Sequence, residues 1–486
     1  MKQKNILGLL FLALMSMSPT VKGQGKRPNL IIIQTDEHNF RTLGCYRDQL
    51  RKEQAYVWGE GVEVKTPNID RIANEGAICN NYYASSPVCT PSRASFVSGL
   101  YPVATASYKN DIPMYDDVVT FAEALRKEGY ATSYLGKWHL DGDSKPGFAP
   151  KRKFGFDDNR YMFNRGHWKA LGEKDGVLYL PGKFDEKKQA QFVNLKKIKE
   201  ENFTTDFLVD RTLETLERDK DKPFCVMVSI PDPHGPNKVR SPYDTMFKDV
   251  FFKNPKTLNT PIADLPKWAQ VKGKMVNELN QKQMQIYFGM VKCVDDNVGR
   301  ILDFLDENNL TENTIVVFTS DHGDLMGEHH KHNKSVPYET SAKIPFVLRY
   351  PAKVKAGKVI KKAYTTADFS PTILGLMNAS PNKKVHGIDA SSDFTSKEKE
   401  VVDNRITYIT AHNQAWVAAL DNRYKLVISE SDEPWLIDLE KDPNEQINYY
   451  SNPEYSKIVQ KLTAELKSSL VKFKDPILKT SKELRY

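Results

Sequence analysis

Four polar clusters stand far apart in the chain, each beside an apolar stretch: Asp36-Glu37, Lys137 with His139, Asp232-Pro233-His234, and Ser320-Asp321-His322. Asp36, Glu37 and Asp321 with the imidazole of His322 make an oxygen-rich donor set. Such a set suits Ca²⁺, with Mg²⁺ or Mn²⁺ as alternatives, and the lack of clustered thiolates argues against zinc. His329, His330 and His332 crowd the same stretch, but only His322 directly follows a strand-end acid, so the other three are read as solvated or supporting. Cys89 is a different kind of candidate. Pro91 suits the first turn of a helix running from Ser92 toward Ser98, and Cys89 then sits at a helix N-terminus, where backbone N–H groups and the dipole favour an anion. A cysteine alone is more often an inert buried side chain; its neighbourhood has to decide.

For these residues to meet, the fold must gather them. Asn29 to Thr35 is a continuous apolar run of the kind that forms a central strand buried on both faces. Thr66 to Glu75 reads as a helix stopped by Gly76, and Thr120 to Glu128 as a helix stopped by Gly129. Tyr130 to Leu135, Phe224 to Ile230 and Thr314 to Thr319 read as further strands, the last two preceded by helical stretches. This alternation predicts an α/β fold with a large mixed, mostly parallel sheet sandwiched by helices. In such sheets ligands bind beyond the carboxyl ends of the strands, and all four clusters fall there. After about residue 380 the strands become short and alternating (Ile406 to Thr410, Ala415 to Ala419, Lys425 to Ile428), and a last helix spans about Pro453 to Phe473. The expected division is a signal peptide over 1–24, a catalytic domain over 25–385, and a C-terminal α+β subdomain over 386–486, with a short antiparallel sheet and the final helix.

The 486 residues, 40% of them hydrophobic, suffice for a large core. Lys2 and Lys4 ahead of the apolar run Ile6 to Met15, then small and polar residues, form the pattern of a cleaved export signal, so the mature protein is expected to be secreted or periplasmic. No later stretch is long and apolar enough for a membrane span. The net charge of +8 favours anionic partners, but acid and base are interspersed without a basic tail, which speaks against nucleic acid and for a local anion pocket. The five cysteines, Cys45, Cys79, Cys89, Cys225 and Cys293, form no Cys-x-x-Cys pair, and an odd count in an exported chain leaves at least one unpaired or chemically altered.

Cys89-Thr90-Pro91-Ser92-Arg93, followed by Gly99-Leu100-Tyr101-Pro102, resembles the signature of the type I sulfatases of the alkaline-phosphatase-like superfamily. Thr35-Asp36-Glu37, Gly136-Lys137-Trp138-His139-Leu140, Pro233-His234-Gly235-Pro236, Ser320-Asp321-His322-Gly323, Lys334 and the segment Trp435 to Glu445 match in order. The resemblance therefore spans nearly the whole mature chain, which is similar to secreted bacterial carbohydrate sulfatases. It departs at two places: relatives commonly carry two adjacent aspartates where this chain has Asp36-Glu37, and often Asp-Asn where it has Asp321-His322. Both changes keep a donor atom but put the metal's identity in question.

The resemblance implies sulfate-ester hydrolysis with Cys89 converted to formylglycine by a formylglycine-generating or anaerobic sulfatase-maturating enzyme. The aldehyde hydrates to a diol, one hydroxyl of which attacks sulfur. Asp36, Glu37, the residue at 89, Asp321 and His322 are the implied metal ligands. Arg93, Lys137 and Lys334 are expected to balance charge around the sulfate. His234, assisted by Lys334, is assigned as the acid on the leaving oxygen and His139 as the base that releases sulfate; the two histidine roles are interchangeable at this level. The stretch Lys151 to Lys169 mixes basic and aromatic residues, and Arg160, Arg165 and His167 are expected to bind substrate. Export together with such a site points to a sulfated saccharide, such as a glycosaminoglycan or mucin unit. A phosphodiesterase or phosphonate monoester hydrolase of the same superfamily is the alternative reading. A silent glycan-binding protein is a more remote one, because pure binding has no need of the nucleophile.

Overall fold

The computed structural model describes residues 27–270, 275–381, 383–479 and 484. The segment expected to be a signal peptide lies outside them. Nine strands form the main sheet: β1 (Asn29–Asp36), β2 (Ala77–Cys79), β3 (Ala131–Lys137), β4 (Met162–Phe163), β5 (Phe224–Pro233), β6 (Thr314–Ser320), β7 (Phe346–Arg349), β8 (Lys358–Ile360) and β9 (Glu400–Val401). Their spatial order is β9-β8-β2-β7-β6-β1-β5-β3-β4. Only β7 runs against its neighbours; every other pairing is parallel. The expected mixed, mostly parallel sheet is present.

The run Leu30-Ile31-Ile32-Ile33 explains why β1 sits at the centre. Leu30 and Ile32 face one core, with the helices α2 (Cys89–Ser98), α3 (Phe121–Lys127) and α6 (Phe369–Leu376). Ile31 and Ile33 face the other, with α1 (Pro67–Asn74), α4 (Thr204–Asp219) and the long α5 (Gln281–Glu307). All four side chains are fully buried, and each such aliphatic stabilises the fold by about 1.5–3 kcal/mol relative to an exposed one. The helix ends are capped: Thr120 and Glu123 form a capping box at the start of α3, and Gly99 ends α2 at φ 74°, a left-handed cap that favours glycine.

The C-terminal part is an antiparallel sheet of β10 (Thr407–Thr410), β11 (Trp416–Leu420), β12 (Tyr424–Ser429) and β13 (Trp435–Asp438) in that order. Its outer face packs on the final helix α7 (Ser456–Phe473) through Leu462, Leu466 and Leu470, and its inner face packs on Tyr83, Leu325 and Tyr338 of the main body. The chain leaves the large sheet only after β9, past the division expected at 385. All five cysteines are free and buried. Among the described residues no helix is long and apolar enough to cross a membrane.

Candidate active site

β1, β6, β3 and β5 are the central parallel strands, and their carboxyl ends deliver Asp36, Asp321-His322, Lys137 and Asp232-His234 to one place. The ends are laced together. The Asp321 N–H donates to the Thr35 carbonyl at 3.2 Å and the His38 N–H to the His322 carbonyl at 3.0 Å. The β1–β5 register slips between Thr35 and Asp36, and Glu37 then turns at φ 61°. The Tyr287 hydroxyl, donating to the Glu37 carbonyl at 2.7 Å, pins that turn.

Helix α2 enters from the side with Cys89 as its first residue. Asp36, Cys89, Asp321 and His322 form one buried group, each offering a ligand atom within 4.8 Å of the others. Cys89 Sγ is 3.2 Å from His322 Nε2 and 3.9 Å from Asp36 Oδ1. His322 Nδ1 donates to the Gly323 carbonyl at 2.9 Å, so the Nε2 lone pair points into the group. Burial, supplemented by the Lys334 charge, outweighs the attraction of Asp321 and keeps this imidazole below its ordinary pKa, hence neutral. Two carboxylates, a neutral imidazole and the residue at 89 are a donor set that fits a divalent cation of the Ca²⁺, Mg²⁺ or Mn²⁺ class.

Arg93 lies one helical turn beyond Cys89, nearly fully buried. Its guanidinium donates to Asp321 Oδ2 (2.8 Å) and Asp36 Oδ2 (3.0 Å), and also to Gln34, Ser229 and the Lys137 carbonyl. With five protein acceptors it fixes the carboxylates from behind rather than facing a substrate. Lys137 Nζ donates to the same Asp36 Oδ2 at 2.5 Å and to His167 Nε2 at 2.7 Å. Burial opposes ionisation of Asp36, but Lys137, His167 and Arg93 hold it well below the usual carboxylate range. Burial and Asp36 likewise push the Cys89 thiol up, yet Lys137 and Lys334 prevail and lower it.

Glu37, expected beside Asp36 among the ligands, sends its carboxylate elsewhere: Oε2 lies 3.0 Å from His234 Nε2 and Oε1 3.2 Å from Lys334 Nζ. The left-handed turn after β1 aims it there; its own N–H still donates to Asp321 Oδ1 at 3.2 Å. Burial disfavours its charge, but His234 and Lys334 hold it below the ordinary carboxylate range. Lys334 also donates to His234 Nε2 at 3.0 Å, while His234 Nδ1 donates to the Gly235 carbonyl at 2.8 Å. His139 has a separate partner, with Nε2 lying 3.0 Å from Asp111 Oδ1 and Nδ1 buried without one.

Asp111 escaped sequence reasoning. It lies in an irregular loop, and only the tertiary fold brings it to His139. Asn110 beside it accepts from the Thr90 N–H at 3.0 Å, and the Thr90 hydroxyl donates to the His139 carbonyl at 2.9 Å. That loop therefore ties the helix start bearing Cys89 to His139.

The three residues expected to bind substrate separate. His167 is at the centre, its ring stacked on His234 with centroids 3.5 Å apart. Arg165 stands beside it but donates to Asp111 at 2.9 Å. Arg160 is not brought there. It pairs with Asp158 at 2.9 Å, and Asp158 bridges to Ser133 near the start of β3, the opposite end from the site. β4 pairs Met162 with Gly136 and Phe163 with Lys137, so residues before it point away from the centre and those after it point toward it.

Against known families, residues 28–379 match the model described as Sulfatase, and residues 327–472 the one described as N-sulphoglucosamine sulphohydrolase, C-terminal. An "Ulvan-active sulfatase" of Formosa agariphila is 29% identical, with 92% of this chain and 82% of that protein covered. An "N-acetylglucosamine-6-O-sulfatase" of Bacteroides thetaiotaomicron is 27% identical, covering 97% and 91%. Among solved structures, one in complex with D-glucosamine-2-N,6-O-disulfate shares the fold at a TM-score of 0.76 and 24% identity, covering 93% of this chain and 99% of the other.

Proposed function

The chain belongs to the sulfatase family and hydrolyses sulfate esters; from that premise we propose that it removes sulfate from saccharides outside the cytoplasm, using a formylglycine made from Cys89 by a maturation enzyme. The observation that carries this reading is the convergence on Cys89 of Asp36, Asp321 and His322 in one buried group. Sulfated glycans are also the substrates named for the relatives from Formosa and Bacteroides.

Asp36, Asp321, His322 and the residue at 89 would hold a divalent cation, which supplies positive charge against a sulfate oxygen and eases deprotonation of the attacking hydroxyl. An aldehyde hydrate at position 89 supplies two hydroxyls, one to attack sulfur and one whose deprotonation releases sulfate by C–O cleavage. Arg93 keeps the two aspartates apart and oriented. Lys137 and Lys334 bring positive charge to the front of the site, where charge develops on the transferring group.

The partners of the two histidines support giving them different roles, which the sequence leaves interchangeable. His234 Nε2 lies between Lys334 and Glu37. When protonated it donates to the Glu37 carboxylate, a counter-ion suited to an acid that protonates the leaving oxygen. His139 donates through Nε2 to Asp111, which leaves the Nδ1 lone pair free to accept a proton. Glu37 thus serves the acid in this reading, and Arg165 serves the base through Asp111.

Mass spectrometry of the tryptic peptide bearing position 89, run beside paired assays of sulfate and phosphate esters, tests the proposal. Active protein should show replacement of the thiol by the aldehyde and should prefer sulfate esters. An unmodified thiol in fully active protein defeats the nucleophile, and preference for phosphate or phosphonate esters defeats the substrate class.

A further inference from the structure

A cleft of about 240 Å³ opens beside His167, which forms part of its lining. His167 is common to the cleft and the site: its ring stacks on His234 at 3.5 Å, and its Nε2 takes a hydrogen bond from Lys137 at 2.7 Å. Pro236, two residues past His234, forms part of the same wall. In the proposed reaction His234 protonates the departing oxygen, so this cleft lies on the side from which the alcohol leaves. Whatever occupies it belongs to the saccharide, not to the sulfate being cleaved.

The lining carries Lys145, Lys169, Lys188 and Lys238, and no carboxylate. Lys169 is neutralised, with Nζ 2.5 Å from the buried Asp232. Among the described residues the other three form no ion pair; Lys145 lies 5.5 Å above the Trp168 ring and Lys188 5.9 Å from the Phe192 ring. Lys145 is partly buried, and burial with the like charges of Arg165 and Lys137 outweighs the opposing charge of Asp111 and presses its pKa down. Three lysines without an ion-pair partner among the described residues, on one small concave surface beside Lys137, raise the local positive potential, which an anion relieves. The walls are also built. Gln191 accepts from the Lys169 and Ala170 N–H groups at 3.0 and 3.2 Å and donates to the Ala170 and Pro181 carbonyls at 2.8 Å. This clamps the hairpin of Lys183–Asp185 and Ala190–Phe192 onto the segment bearing His167.

We propose that this cleft is a second anion subsite on the leaving-group side, which takes a carboxylate or a further sulfate carried by the same saccharide. The enzyme then selects polyanionic sugars over singly sulfated ones. The inference rests on the sulfatase reading of the site and adds a requirement on the substrate. Charge-assisted contacts of this kind set the expected preference at roughly tenfold.

Three matched saccharides test it, all with the same scissile sulfate: one with an otherwise neutral body, one bearing a uronate carboxylate, and one bearing a second sulfate. The mature enzyme should show a kcat/KM about tenfold higher for at least one dianionic form, and whichever form it favours identifies the anion. Lys145→Ala and Lys238→Ala should each erode that preference while leaving turnover of the neutral-bodied substrate unchanged. Equal turnover of all three by the wild type, or variants that slow all three alike, would overturn the subsite. Calorimetric binding of the same saccharides to the Cys89→Ala protein separates the two claims. Tighter binding of a dianionic form that is lost in the Cys89→Ala/Lys145→Ala protein, with no turnover by the wild type, keeps the subsite and removes the sulfatase reading. Equal binding of all three alongside normal turnover does the reverse.

Discussion

The two sides of the site are built differently. The side around Cys89 is made at strand ends and a helix start: Asp36, Asp321 and His322 have essentially no exposure, and Arg93 and backbone groups hold them from behind. The side around His139 and His167 is made by loops. Asp111 and Arg165 hold His139 from two irregular segments, and Lys145 and Lys238 stand on connections without an ion pair among the described residues. Chemistry common to a fold can be carried by its sheet, whereas selection among substrates falls to what the loops add. The comparison predicts that damage on the strand-end side abolishes function or folding, and that damage on the loop side grades it.

The largest effect is expected at the nucleophile. Cys89→Ala should lower kcat by at least about 10⁴-fold, as removal of a covalent catalyst does. The thermal midpoint should move little, because the side chain is small and replaced by another small one. Activity retained in this variant, measured as released sulfate, would break the comparison at its root.

Arg93→Ala comes next and should act on stability as well as rate. It leaves Asp321 buried without its cation and Asp36 with Lys137 alone, a loss of about 3–5 kcal/mol for an uncompensated buried charge. Denaturant unfolding reads this directly, and an unchanged midpoint would show that Arg93 does not hold the carboxylates. Asp111→Asn is milder. The amide keeps the shape but weakens the hydrogen bond that orients the His139 ring, so kcat should fall roughly 10- to 100-fold with KM nearly unchanged. A rise in KM with kcat intact would make Asp111 a substrate contact instead.

The same division explains what could be read from the amino-acid sequence. Asp36, Asp321, His234 and Lys137 were legible because each closes an apolar run whose length and composition already indicate a strand, and parallel strands present their ends together. Cys89 was legible through the helix whose first turn holds Pro91. Glu37 was placed among the ligands by adjacency to Asp36, but a residue in a left-handed turn does not follow its neighbour's direction. Asp111 carries no local signal at all, since its partner lies in a segment joined to it only by tertiary structure. The short strands β2, β8 and β9, of two or three residues, exist because they pair and have no periodicity long enough to read.

Arg160 sets the other end of the scale and sharpens the comparison most. By sequence it belongs with Arg165 and His167, yet β4 stands between them, and its register with β3 sends Arg160 to the amino end of the sheet. There it is 56% exposed, on an Asp158 that Arg218 also holds. An exposed pair with a second cation in reserve contributes about 0–1 kcal/mol. Arg160→Ala should therefore leave kcat and KM for any sulfated saccharide within about twofold, where Arg165→Ala, by loosening Asp111, should lower kcat several-fold. Steady-state kinetics on the two variants decides it. A loss at Arg160 comparable to that at Arg165 would mean that the edge of the sheet reaches the substrate, and that the site extends beyond the strand ends that define it.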